Sequence, residues 1–193
     1  LPVPIYFSAP LYWFFDISAT IGRLSSALLG VLDIALIYIL VKQLFNKNSL
    51  ALFSALFLAI SPWHLHFSRS AYDPNFALFF YLLGIVTFIW EVKKKRIPIV
   101  SPVTFLLAIF SYRGMNPIFV PLICLLVWYG IKILKITKRQ IIAFWLGIFF
   151  IGVLLFSVIV VNGQAYLTAE GSIFNESKMQ EEIDTQIREA QGP

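Results

Sequence analysis

The sequence predicts an all-α polytopic transmembrane bundle of about six spans, on three observations. Only 13% of its 193 residues are charged, against 59% hydrophobic, whereas a soluble domain averages about 25% charged and needs them to face water. Several charge-free runs reach the roughly 20 residues, or 17 at the short end, that cross a hydrocarbon core. Lys/Arg clusters follow alternate runs, as membrane topology requires.

Taken in order, residues 1–22 are aromatic-rich and interrupted by Pro2, Pro4 and Pro10. They are expected to be the end of an extracytoplasmic loop at the interface, where Trp and Tyr concentrate. The transmembrane domain follows over 23–161. Its first span runs from about Arg23 to Phe45, with Ser25, Ser26 and Gly30 as a small-residue packing face. The second, about Ser49 to His66, contains Pro62, which should kink it or end its regular part. The third begins at Asp73-Pro74 and runs to Trp90, before Glu91 and the Lys93–Arg96 cluster. The fourth is short, about Pro98 to Tyr112. The fifth covers about Ile118 to Leu134, and the sixth, Ile141 to Val161, has no charge. Residues 162–193 carry six acids and two bases and read as an extracytoplasmic polar loop, with Ser177–Ala190 able to form a polar helix. No repeat of fixed period appears.

If the span ends alternate, ten of the fifteen basic residues fall on one side with a single acid, Glu91. The positive-inside rule makes that side cytoplasmic and the acidic tail extracytoplasmic. Topology thus explains most of the net charge of +5, and no basic stripe interleaved with aromatics is left for nucleic acid. Cys124 is alone, which excludes an internal disulfide or a Cys-based zinc site, and its apolar run suits a small packing residue. Leu1 and Pro193 do not read as natural termini, so the chain is expected to be a segment of a longer protein.

Arg23, Arg69 and Arg113 stand at the outer ends of three different spans, where few basic residues are expected. Any one of them could snorkel to headgroups or cap a helix. A shared anionic ligand explains the three together better, because guanidinium binds phosphate through a planar fork. Asp73 before Pro74 suits an N-cap with proline at N1, a role compatible with a carboxylate facing a site. His64 and His66, two apart, point in different directions and are poorly spaced for a shared metal. Both are expected to pack at the interface with Trp63, and of the two His66, nearer Arg69, is the better candidate to line the site. Asp33 lies in mid-span and should face other helices or a watery cavity; no partner is evident. Asp16 reads as a loop residue. Asn175-Glu176-Ser177 matches the short glycosylation sequon. No metal site is defined, although the pattern is compatible with a divalent metal.

Three stretches resemble the group of the dolichyl-phosphate-mannose protein mannosyltransferases and aminoarabinose transferases (glycosyltransferase family 39-like), membrane enzymes of the GT-C fold. Arg23-Leu24-Ser25-Ser26-Ala27-Leu28-Leu29-Gly30 is similar to RLPSALxG, with Ser25 in place of the usual proline. The stretch Ser61 to Asp73 looks like SPxxxxxSRxAxxD. Ser111-Tyr112-Arg113 through Phe119-Val120-Pro121 is similar to a short outer turn ending in FVP. The resemblance covers most of residues 1–161. It implies a glycosyltransferase moving a sugar from a polyprenyl-phosphate-linked donor to a protein or lipid acceptor at the outer face of the cell membrane, or of the endoplasmic reticulum membrane in a eukaryote. It implies that Arg69 and Arg113, joined by Arg23, hold the lipid phosphate, and that Asp73 is a secondary acid. The principal catalytic acid would lie before Leu1. Two other readings remain: a transporter or flippase of a lipid-linked anion using the same arginines, and a non-catalytic structural subunit in which they only snorkel.

Overall fold

The computed structural model describes residues 2–14, 19–70, 72–112, 114 and 116–162. It divides into two compact units, Leu1–Ile151 and Gly152–Pro193; of the second, residues 152–162 are described and are helical. Asp16, Arg113, the sequon and the expected polar helix of 177–190 lie outside the described residues. Those described form eight α-helices: α1 (Pro2–Phe14), α2 (Ala19–Phe45), α3 (Asn48–Ile60), α4 (Pro62–Arg69), α5 (Asp73–Lys93), α6 (Val100–Ser111), α7 (Asn116–Lys132) and α8 (Lys138–Asn162). The fold is all-α among these residues.

Residues 2–14 are helical. Pro2 and Pro4 fall in the first turn, where the missing N–H groups have no intrahelical partner to lose, so only Pro10 interrupts the ladder. Phe7 carries α1 onto α5, edge-on to Phe76 at 5.8 Å and Phe80 at 6.0 Å.

Among the described residues two helices, Arg23–Phe45 and Asp73–Lys93, are long and apolar enough to cross a membrane. A third crossing is available if the bent pair Asn48–Ile60 and Pro62–Arg69 counts as one span. The pair is bent by 59°, where Pro62 was expected to break it. α6 is only 12 residues, roughly 18 Å of helix against a core of about 30 Å, because residues 96–99 lie outside the helix. α7 is an apolar helix with Pro121 inside.

α5 is the centre of the bundle. Of its most apolar window 72% is buried, against 33% for α2. Its residues Phe80, Tyr81, Phe88 and Ile89 pack with Phe105 and Ala108 of α6, Phe119 and Ile123 of α7 and Phe144 of α8. Tyr81 stacks on Phe119 at 4.6 Å, and Phe88 meets Phe144 edge-on at 5.1 Å. On the other side of α5, Leu82 and Val86 pack with Leu36 of α2. Lipid tails are as apolar as these side chains, so association rests on close fit rather than exclusion of water. Cys124 corrects one expectation. Ile123 and Val127 form the buried stripe of α7, which leaves the cysteine exposed on the outward face.

The basic ends of α2, α5 and α7 are followed by residues with positive φ: Asn46, Lys95 and Lys135. After α5, Lys95 N–H donates to Val92 O and Arg96 N–H to Glu91 O, both at 2.9 Å, the paired bonds of a Schellman motif. Glu91 then turns to α6: its carboxylate accepts the N–H groups of Ile99, Val100 and Ser101 and the hydroxyl of Ser101. Thr137 and Gln140 form a reciprocal capping box on α8, and Gln140 also donates to Arg96 O.

Candidate functional site

Three helices meet at Ser26. Its hydroxyl donates to Phe67 O of α4 at 3.3 Å. The Asn75 amide of α5 donates to Ser26 O at 2.8 Å and to Ser26 Oγ at 3.2 Å. Ser26 and Asn75 are buried, so these bonds form where water does not compete. Beside them the Ser25 hydroxyl meets that of Ser8 on α1 at 2.9 Å.

Arg23, Arg69 and Asp73 are placed by this junction. Arg23 lies one turn before Ser26 on α2, Arg69 two residues after Phe67 at the end of α4, and Asp73 two residues before Asn75 at the start of α5. All three offsets lead toward the same end of the bundle. Arg23 and Arg69 are exposed and Asp73 is half-buried. Asp73 is the first residue of α5 and Tyr72 takes the cap position, with Pro74 following. This moves the expected N-cap by one residue, and the carboxylate still sits in the first turn, where the helix dipole favours negative charge.

The two histidines diverge as their spacing required. His66 is exposed and belongs to a ring cluster with Phe67 at 5.4 Å and Tyr72 at 6.4 Å. Trp63 packs on Phe67 at 4.7 Å, not on His64. His64 instead turns into the bundle, 2% exposed, and sets its Nε2 3.6 Å from Oδ2 of the fully buried Asp33. Both carboxylate oxygens and both ring nitrogens lack a hydrogen bond. Asp33 therefore faces another helix, as expected, and its partner is a histidine expected elsewhere. A sequence signal for it existed: Ser26, Gly30 and Asp33 follow the helical i, i+4, i+7 spacing, and His64 and Ser68 the i, i+4 spacing. Gly30 makes the contact possible, since a Cβ there would lie 2.5 Å from Ser68 Cβ.

Among the described residues no three His, Cys, Asp or Glu side chains gather as a metal cluster.

A helical membrane protein that gathers guanidinium groups and a carboxylate at one end of its bundle has the makings of a site for an anionic, membrane-borne ligand. The model of one family, dolichyl-phosphate-mannose-protein mannosyltransferase, matches residues 2–161. The chain belongs to this family of polyprenyl-phosphate-sugar-dependent membrane glycosyltransferases. No curated protein and no solved structure shows a significant match to it.

Proposed function

We propose that the protein transfers a sugar from a polyprenyl-phosphate-linked donor to a protein or lipid hydroxyl on the extracytoplasmic face of its membrane. The observation that carries this reading is the convergence of Arg23, Arg69 and Asp73 on one end of the Ser26–Phe67–Asn75 junction, with family membership naming the chemistry. Arg69 is the principal phosphate ligand, joined by Arg23 and by Arg113. In the reaction the acceptor oxygen bonds to the anomeric carbon, the bond from that carbon to the phosphate oxygen breaks, and its electron pair stays on the lipid phosphate. Fixed cations stabilise the charge that develops there. The acceptor proton passes to a carboxylate. Asp73 is the acid that orients the acceptor, and His66 lines the approach.

The layout proposed is six crossings: α2, the bent α3–α4 pair, α5, α6, α7 and α8. Residues 162–193 and the arginine end are outside, and the lysine clusters are cytoplasmic. A transporter of a lipid-linked anion would be expected to use a site near the bilayer centre built on broken helices. Asp33, the acid in mid-span, is wholly buried against His64, which favours the transferase.

In the full-length protein, Arg69→Ala is expected to lower sugar transfer from dolichyl-phosphate-mannose or an undecaprenyl-phosphate sugar about a hundredfold, the scale of losing one fixed oxyanion-stabilising group. The amount of protein in the membrane should not change. Transfer at the wild-type rate would reject the phosphate role.

A further inference from the structure

We propose that Asp33 and His64 are positioning residues: a buried polar latch between α2 and α4 that sets where Arg69 stands. The inference rests on the proposed role of Arg69 as a phosphate ligand. α2 and α4 run antiparallel along a seam with three contacts in register: Asp33 with His64, Gly30 with Ser68, and Ser26 with Phe67 O. Arg69 follows this seam directly. The middle contact is tight and the outer one is a hydrogen bond. The inner one joins a carboxylate and an imidazole ten residues below Arg23, roughly 15 Å into a core of about 30 Å.

An apolar pair would be cheaper at that depth. Buried polar pairs seldom stabilise a fold more than well-packed hydrophobic residues do, and their best-attested use is to define one register. Leucines facing each other across two smooth helices can slide or rotate by a fraction of a turn with little loss. A carboxylate and an imidazole whose polar atoms have no other partner lose their interaction as soon as they separate. α4 needs such a constraint. It has only 8 residues, it is set off from α3 by the 59° bend, and it ends in the arginine that must meet a phosphate. The latch therefore acts on ligand binding through α4 and does not touch the substrate.

The test uses the full-length protein in detergent, with undecaprenyl phosphate as the probe. Asp33→Leu and His64→Leu are each expected to weaken its Kd about tenfold and to lower the thermal unfolding midpoint, because each strands the other buried polar group, whereas replacing both by leucine should leave the midpoint unchanged or raise it. The double Leu variant should be no worse than either single one. The exchange Asp33→His/His64→Asp, which restores the pair in reverse, should recover affinity to within about threefold of wild type. Spin labels at Leu44 on α2 and Leu65 on α4, with Cys124 replaced by alanine, should give a narrow distance distribution that broadens in both single Leu variants. Unchanged affinity in the single variants, additive losses in the double, failure of the exchange to restore binding, or an unchanged distance distribution would each overturn the latch. If Arg69→Ala retains full affinity, the phosphate reading fails on its own; the spin-label distances then still decide the latch.

Discussion

At Glu91 one carboxylate supplies what the start of α6 lacks. The cap position there is Ile99, which has no polar side chain, and the orphan N–H groups of the first turn are satisfied by Glu91 from the preceding helix. Hydrogen bonds to a charged acceptor contribute about 1.5–3 kcal/mol each, and donors left bare in a buried position cost about 1–3 kcal/mol. Glu91→Ala is therefore expected to destabilise the bundle by about 3 kcal/mol. Glu91→Gln, which keeps an acceptor, should cost about 1 kcal/mol. Thermal unfolding in detergent should rank them in that order, and equal midpoints would remove the capping role. In the sequence Glu91 reads only as a lone acid beside four bases. Its use depends on the chain turning back after Lys95, so that residues 99–101 reach it.

The helices themselves were legible to within a few residues, because long apolar runs and proline breaks are local signals. What escaped was which face meets which neighbour. The small-residue face of α2 was visible, and Gly30 shows why it matters. A side chain there must push into Ser68, and overpacking of this kind costs about 1–3 kcal/mol. Gly30→Val is expected to lower the unfolding midpoint and weaken binding of undecaprenyl phosphate together, since it wedges α4 away from α2. Gly30→Ala should do the same more mildly, and adding Ser68→Gly should relieve it by removing the atom that the new Cβ strikes. Failure of that second change to restore either property would show that the close approach is not the cause. Residues 2–14 form a helix despite three prolines for a local reason too, since two of the three occupy the turn in which they are tolerated.

For the whole molecule, the distribution of charge makes one sided prediction. In a variant with Cys124 replaced by alanine, a cysteine at Tyr72 is expected to react with a membrane-impermeant maleimide on intact cells. Cysteines at Lys94 or Lys138 should react only after permeabilisation. Labelling in the opposite sense would invert the layout and put the arginine end in the cytoplasm, where a transferase acting outside could not use it. A cysteine at Gly114, between the fourth and fifth crossings, tests the proposed count and should label like Tyr72, since Lys94 and Lys138 fall on one side whether α6 and α7 both cross or neither does. α6 depends on it most, since 12 helical residues cross only with help from the non-helical chain on either side.

By itself the sequence determined that the protein is a helical membrane protein, where its helices break, which end of the bundle carries lysines and which carries isolated arginines, and which family the motifs resemble. Each of these is a property of composition, or of residues close together in the chain, read against a solvent with fixed demands. The tertiary structure alone decided that Ser26 gathers α2, α4 and α5 beneath Arg23, Arg69 and Asp73, that Glu91 caps α6, and that Asp33 is matched to His64 rather than to open water. Those pairings join residues 8 to 49 positions apart, and they depend on how helices rotate and approach in a medium with no hydrophobic force to align them. Close packing at Gly30 and polar contacts across the seam set that alignment.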